Sequence, residues 1–235
     1  MKQVTQIPRQ HALDWIKNIH YAKRQPTISY AFGLWKQDDE SNNQRLTGVV
    51  TYGSPNASSL RKMCTDKYYD HVIELNRHIL IENKPNDAST LIGRSLKMLP
   101  APKVVVSYAD IGMNHNGYIY QATNFVYTGI SDPGMQYTLK SDPTVHNTTL
   151  FDSVHRDRKN KLPKGMKTKL VKEKYGDDLI KVEGSKKHRY IFFVGNKKQK
   201  KDMLKNLQYE ILSYPKGYSG KYDWSHDITY QQKLI

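Results

Sequence analysis

The sequence predicts a mixed α/β fold, an α+β arrangement in which one central sheet is flanked by helices and followed by a basic C-terminal extension. Three observations predict it. Val72 to Ile81 alternates partly with period two and is rich in β-branched residues, as a half-buried strand is. Ala88 to Leu99 carries its apolar residues at helical spacing. Lys103 to Asp110 is apolar enough to lie inside a sheet. This strand, turn, helix and strand form the unit around which the remaining segments are arranged.

Taken in order, Pro8 to Tyr21 places Ala12, Trp15, Ile16 and Ile19 on one helical face, and the run Ala22-Lys23-Arg24-Gln25-Pro26 cannot continue that helix. His20 and Tyr21 fall at its end, either as a cap beside a buried ring or as a ligand or acid/base pair. Thr27 to Lys36 and Gln44 to Tyr52 read as two strands around an acidic polar loop. Gly53 to Ser59 is turn-rich, and Leu60 to His71 reads as a short irregular or helical segment. After Ile81, the turn Glu82-Asn83-Lys84-Pro85-Asn86-Asp87 stops the strand and offers Asn86 or Asp87 as a helix cap.

In the helix that follows, Leu91, Ile92, Ser95, Leu96 and Leu99 share a face, and Pro100 ends it. Its first turn, Ala88-Ser89-Thr90, with Gly93-Arg94-Ser95 one turn on, offers free backbone N–H groups to an anion such as a phosphate. The alternative is that Ser89, Thr90 and Ser95 only cap the helix and face solvent. The next strand delivers Ser107, Tyr108 and Asp110 to its carboxyl end, where open α/β sheets place ligands, and the loop from Ile111 to Gly117 carries His115. Tyr118 to Phe125 reads as a single amphipathic helix and Val126 to Ile130 as a last sheet strand. The rings and amides of Tyr118, Tyr120, Gln121, Asn124 and Phe125 suit a pocket that stacks a flat base and bonds its edge. The competing assignment puts Ile119 and Phe125 in the core and Tyr118 on the surface.

From Ser131 onward the composition changes. Residues 133–235 read as a basic extension that completes the sheet of a core at 1–132 and contacts DNA, the two forming one compact unit. Arg156, Arg158 and Lys159 open a lysine-rich stretch, and Lys187 and Arg189 lead into an apolar strand ending at Val194, followed by a helix from Lys197 to Leu207. The chain carries a formal net charge of +15 over 235 residues. Such an excess points to a polyanionic partner, and basic residues interleaved with tyrosines suit phosphate contacts and base stacking in double-stranded DNA. The single cysteine, Cys64, excludes an intrachain disulfide and indicates a reducing compartment. The sequence holds no apolar run of membrane-spanning length and no signal-peptide core, so a cytoplasmic location is expected. It also lacks a P-loop, a zinc-type cysteine set and a Gly-x-Gly methyltransferase loop. Nothing in it separates a monomer from a homodimer.

Four runs carry a family resemblance: Val72 to Arg77, Asn86 to Ser95, Val105 to Asp110 and Gly117 to Phe125. They resemble the Mom proteins, bacteriophage enzymes of DNA modification and a divergent branch of the GNAT acyltransferase fold. The resemblance extends over Trp15 to Ile130 and returns at Lys187 to Lys216. It implies a GNAT-like central sheet and a transferase that carbamoylmethylates the N6 amine of adenine in DNA, shielding it from restriction. It also implies an acetyl-CoA or related acyl donor, held by Arg77, Ser89, Gly93, Arg94 and Ser95. Gly93 alone stands where the GNAT pyrophosphate loop is normally glycine-rich. Catalysis would fall to Asp110, Tyr108, Tyr120, His20 and Tyr21, and base contacts to Ser107, Asn124 and His115. The resemblance further raises a bound iron near His20 and Tyr21, with Asp110 or His115 as a partner. Two other functions remain open on these residues: a basic phage DNA-binding protein without chemistry, and an N-acetyltransferase acting on another amine.

Overall fold

The computed structural model describes residues 2–19, 25–37, 43–55, 57–155, 160 and 162–215. Two units divide the chain, one formed by 1–131 with 187–235 and the other by 132–186.

The first unit is built on a seven-stranded sheet. Its strands are β1 (Lys2–Gln6), β2 (Tyr30–Gln37), β3 (Gln44–Gly53), β4 (Val72–Leu80), β5 (Lys103–Asp110), β6 (Val126–Ser131) and β9 (Lys187–Val194). They lie in the order β1-β2-β3-β4-β5-β9-β6, and every pair is antiparallel except β4 with β5. That parallel pair exists because helix α2 (Asp87–Met98) carries the chain back over the sheet between them. A mixed sheet flanked by helices is the fold class the sequence predicts. β1 is an addition to that prediction; it is five residues long, too short to show a period of its own, and pairs with β2.

Three apolar clusters hold the layers together. Leu91, Ile92, Leu96 and Leu99 of α2 pack on Phe32, Val50, Tyr52, Ile73, Leu75 and Val105. A fully buried leucine or isoleucine of this kind contributes about 2 kcal/mol. On the opposite face, helix α1 (Arg9–Asn18) covers Ala31, Val49 and Ile79 with Ala12, Leu13 and Ile16. The same face further along is covered by the 3-10 turns at Ser58–Lys62 and Asp66–His71 and by helix α6 (Lys197–Lys205). Met63, Cys64, Tyr68 and Met203 pack there on Val104, Val106, Ile191 and Phe193. The expected helix from Tyr118 to Phe125 is shorter, α3 at Tyr118–Ala122, because Asn124 adopts a left-handed conformation at φ 62° and turns the chain into β6.

The second unit pairs β7 (Met135–Leu139) antiparallel with β8 (Leu179–Glu183). Helices α4 (Asn147–Val154) and α5 (Met166–Tyr175) lie between these strands in sequence, with Leu150 and Val171 fully buried. Lys167, Lys169, Lys172 and Lys174 sit on α5; Lys169 is ion-paired with Glu173 and Lys167 with Asp152.

Candidate functional site

The site begins where β4 and β5 part. Their parallel ladder joins only Val72–Glu74 to Val104–Val106, although β4 continues to Leu80 and β5 to Asp110. Each strand follows its other neighbour instead. β5 stays fully paired with β9, from Lys103 opposite Val194 to Asp110 opposite Lys187. β4 stays with β3 through a bulge: Tyr52 pairs with Leu75 and Thr51 with Arg77, leaving Asn76 as the extra residue. The bulge is pinned from both sides. Thr51 Oγ1 donates to Asn76 Oδ1 at 2.7 Å, and Asn76 Nδ2 donates to the Thr27 carbonyl at 2.9 Å. Gly53 permits that carbonyl to approach, since a Cβ there would lie 1.7 Å from Thr27 O. One bond crosses the mouth of the wedge, from Ser107 Oγ to the Leu75 carbonyl at 3.1 Å. His78 stands in the parted stretch of β4. Its Nε2 is buried without a partner among the described residues, and burial pushes its pKa down to about 4.

At the carboxyl end of β5 the two faces of the sheet carry different chemistry. On one face lie Tyr108 and Asp110, with Arg189 and Lys187 directly across on β9. The Asp110 carboxylate accepts a bond from the Gly112 amide at 3.0 Å and lies 3.5 Å from Lys187 Nζ, so it is oriented and faces a cation. Desolvation, reinforced by the Glu74 carboxylate, pushes the Tyr108 phenol well above its usual range; Tyr108 is therefore a hydroxyl donor at neutral pH. Arg189 turns inward. Its Nε and Nη2 donate to Thr128 at 3.0 and 2.8 Å, and its guanidinium lies 3.5 Å from the Tyr209 ring centre.

The other face is aromatic. Tyr120 stacks at 5.3 Å against both Phe125 and Tyr190, and Tyr190 at 5.3 Å against Tyr127. Tyr127 Oη is 2.9 Å from His188 Nδ1, and burial lowers the pKa of that imidazole. Tyr190 donates its hydroxyl to the Asn116 carbonyl and accepts from Gln121 Nε2 at 3.1 Å, which clamps the loop before α3 onto the sheet. Gly117, at φ +73°, lies flat on the Tyr190 ring, where a Cβ would come within 2.3 Å.

Residues 2–216 match the Mom protein family. The chain belongs to that family. It is 26% identical over 208 residues to the protein named methylcarbamoylase mom of Escherichia phage Mu, covering 86% of this chain and 78% of that one. Among solved structures it is similar to Arabidopsis thaliana NAA60 in complex with acetyl-CoA, with 12% identity, 83% of this chain and 99% of that chain covered, and a TM-score of 0.46. It is also similar to a probable acetyltransferase from Staphylococcus epidermidis, with 11% identity, coverage of 83% and 100%, and a TM-score of 0.42. The antiparallel run from β1 to β4, the parallel β4–β5 pair and the α2 crossover give this Mom protein the mixed central sheet that the sequence predicts.

The expected site residues of the Mom protein separate into groups. Asp110 and Tyr108 share a face at the strand end, while Ser107 points to the other face and is buried. Tyr120 is half in the aromatic core; Asn124 and His115 are exposed. Desolvation lowers the His115 pKa, and the nearby Asp110 carboxylate opposes that shift. His20 and Tyr21 lie outside the described residues, as do Arg156, Arg158 and Lys159. Lys187 faces Asp110 rather than open solvent alone.

The residues expected to hold a cofactor divide along α2. Ser89 is in the first turn, and the amides of Ala88 and Ser89 meet no acceptor among the described residues. Ser95 is buried two turns down, its hydroxyl 2.6 Å from that of Tyr52 and 2.9 Å from the Ile92 carbonyl, so it belongs to the core. Arg94 donates to the Lys2 carbonyl at 2.7 Å and ties α2 to β1; Gly93 faces Thr123. Arg77 is half-buried beside the bulge and donates to the Asn76 carbonyl at 2.6 Å. Neither Asn86 nor Asp87 caps α2 with its side chain. Asn86 is left-handed, and the Asp87 carboxylate is fully buried, ion-paired with Lys36 and with Lys2 at 2.9 Å. Among the described residues no three His, Cys, Asp or Glu side chains gather to hold a metal ion. Of the expected iron ligands they include His115 and Asp110, the latter already held by Gly112 and Lys187.

The aromatic clamp is a feature that the sequence patterns above do not name. Its signal is present in Lys187 to Val194, where alternation sends Lys187 and Arg189 to one face and His188 and Tyr190 to the other.

Proposed function

We propose that this protein is a DNA-modification transferase that carbamoylmethylates adenine N6 in double-stranded DNA, within the host cytoplasm, and so protects phage DNA from restriction. The observation that carries the reading is membership of the Mom family over 2–216, joined to an oriented carboxylate at the mouth of a parted strand pair. The N6 lone pair is delocalised into the adenine ring, so the amine needs extraction from the stack, an acceptor for its proton and an activated carbon nearby. Asp110 is the acceptor: as N6 bonds to that carbon, the carbon's bond to the donor's leaving group breaks with the electron pair leaving on that group, and the N6 proton passes to the carboxylate, which Lys187 and the Gly112 amide keep in place. The Tyr108 hydroxyl, on the same face, donates to the base. Asn124 and His115 complete the base contacts in this reading, while His20 and Tyr21, which lie outside the described residues, keep the catalytic role that the resemblance implies.

An acyl-CoA-type donor fits the chain's own features. The wedge between β4 and β5 accepts an extended arm, and the unmatched Ala88 and Ser89 amides at the positive end of α2 accept phosphate. When bound, the donor would supply the activated carbon, which for the carbamoylmethyl product is the methylene that bears the leaving group. The iron that the resemblance implies would draw on His20 and Tyr21, which lie outside the described residues, and no step of this scheme runs through it.

The test is mass spectrometry of nucleosides from the DNA of cells expressing the protein. A carbamoylmethylated deoxyadenosine is expected. Acetylated adenosine would make the protein a simple acetyltransferase, and unmodified DNA with abundant folded protein would leave only the DNA-binding function.

A further inference from the structure

We propose that the lysine face of α6 is a second DNA-holding surface, which grips the duplex on one side of the target adenine up to roughly eight base pairs away. The proposal rests on the reading that duplex DNA is the substrate.

Helix α6 places Lys197, Lys198, Lys200, Lys201 and Lys205 in nine residues, all exposed. Among the described residues, no carboxylate lies within ion-pair distance of these five. Helix stability does not explain them. Four sit in the first turns, where the helix dipole disfavours cations, and several are three or four residues apart, where like charges repel. The helix is started by other means: Asn196 accepts from the Gln199 amide and Gln199 reaches back to the Asn196 amide, each at 2.9 Å, while Met203 anchors the helix in the core. The same surface continues into the 3-10 turns with Arg61, Lys62 and Lys67. Its three carboxylates are already neutralised by these neighbours, Asp70 by Arg61, Asp66 by Lys62 and Asp202 by Lys67. Eight cations against three paired carboxylates form a strip that stays positive among the described residues.

Its position sets the reach. β9 runs antiparallel to β5, so Lys187 stands beside Asp110 and Val194 beside Lys103 at the opposite end of the sheet. Gly195 and Asn196 then turn the chain into α6. Eight residues of strand span about 27 Å. The first lysines of α6 therefore lie about that far from the reacting end, and Lys205 lies nearer as α6 runs back. At about 3.4 Å per base pair this is roughly eight base pairs of duplex, measured from the target along one direction. A charge-complementary surface at a fixed distance from the chemistry is what a processive or orienting grip on a polyanionic rod requires.

The test uses the full chain and its variant Lys197→Gln, Lys198→Gln, Lys200→Gln, Lys201→Gln, Lys205→Gln; glutamine keeps helix propensity, and a melting curve verifies the fold. A milder Lys197→Gln, Lys198→Gln pair serves if the five-fold variant melts early. Binding to a 30-base-pair duplex is followed by fluorescence anisotropy across salt concentrations. The salt slope of log K is expected to fall by about 0.9 for each phosphate no longer neutralised, by about 2 to 4 in total. Modification is then timed on duplexes with the adenine roughly four, eight or sixteen base pairs from one end. The wild type should gain at least about tenfold in kcat/KM between the short and the medium flank on one side of the adenine only, and the variant should show no gain. An unchanged slope with an unchanged flank dependence would overturn the proposal while leaving the proposed function intact. Wild-type protein that binds no duplex at any salt would instead overturn the DNA reading itself. Loss of binding to anionic phospholipid vesicles, with DNA binding unchanged, would reassign the strip to a membrane surface and also overturn the proposal.

Discussion

The first half of the β4–β5 pair and its second half are built from the same two strands, yet they differ in pairing and in polar content. Along Val72–Glu74 and Val104–Val106 the strands are laddered, and all these side chains but Glu74 are apolar. Past that point the ladder ends; Leu75, Ile79 and Ala109 remain apolar and buried, and Asn76, Arg77 and His78 on one strand and Ser107, Tyr108 and Asp110 on the other bring in polar side chains. On β5 polarity starts at Ser107, the first residue past the ladder. The reason is physical: backbone groups without a strand partner still require one, so the parted stretch must admit water or a ligand, and an apolar lining would be at odds with that. A buried sheet thus becomes a site by withdrawing one ladder rather than by adding a loop.

The largest expected effect breaks the comparison at its polar end. Asp110→Asn should lower modification about a thousandfold, within the range for loss of a positioned proton acceptor, while the amide oxygen preserves the bond from the Gly112 amide and the melting temperature stays put. Val105→Ala, in the laddered half, should do the opposite. It should cost about 2 kcal/mol of stability and leave kcat per folded molecule unchanged. If both variants lost activity in proportion to folded protein, the two halves would not be functionally distinct.

Next comes pH. His78 has a pKa of about 4 in the fold, against an ordinary histidine value of 6.5. Between these values the unfolded chain binds the extra proton, so stability is complete above about pH 6.5 and declines as pH falls toward 4, by up to about 3 kcal/mol. Denaturant melts of His78→Leu should show a flatter acid limb than wild type over that window. Parallel limbs would mean that His78 is solvated and that the parted half of β4 is open to bulk water.

The smallest effect tests what keeps the halves apart. Asn76→Ala removes two bonds that pin the bulge and should cost about 1 to 2 kcal/mol, with a weakened response to coenzyme A in calorimetry as the wedge narrows. An unaltered coenzyme A titration would show that the bulge does not hold the wedge open.

Much of this arrangement is legible in the sequence, and the parts that are not have identifiable causes. The periods of β4, α2 and β5 locate the strand-helix-strand unit to within a residue or two, because each element buries a face and must declare it. The same periodicity places Ser95 with Leu91, Ile92 and Leu96; its hydroxyl suggests a ligand, but its spacing foretells the core contact with Tyr52. The parting of the strands has no such signal, since a bulge adds one residue without disturbing composition, and Asn76 looks like any polar strand residue. Nor does the sequence announce that β7 pairs with β8, as two helices intervene and pairing between distant segments leaves no local mark. Asp87 misleads for a third reason. A carboxylate at a helix start suggests a cap, whereas Lys2 and Lys36 draw it inward from strands that only the fold brings near.

The sheet also has to end somewhere, and β6 is its outer strand beside β9. The chain after α6 closes that margin: the Leu212 amide donates to the Tyr127 carbonyl at 2.9 Å, and the Tyr214 hydroxyl donates to the Phe125 carbonyl at 2.6 Å. Without this strap the margin would present unpaired backbone to other molecules, the usual starting point for edge-to-edge aggregation. A chain cut after Lys205 would therefore keep the strands that form the wedge and lose its solubility first.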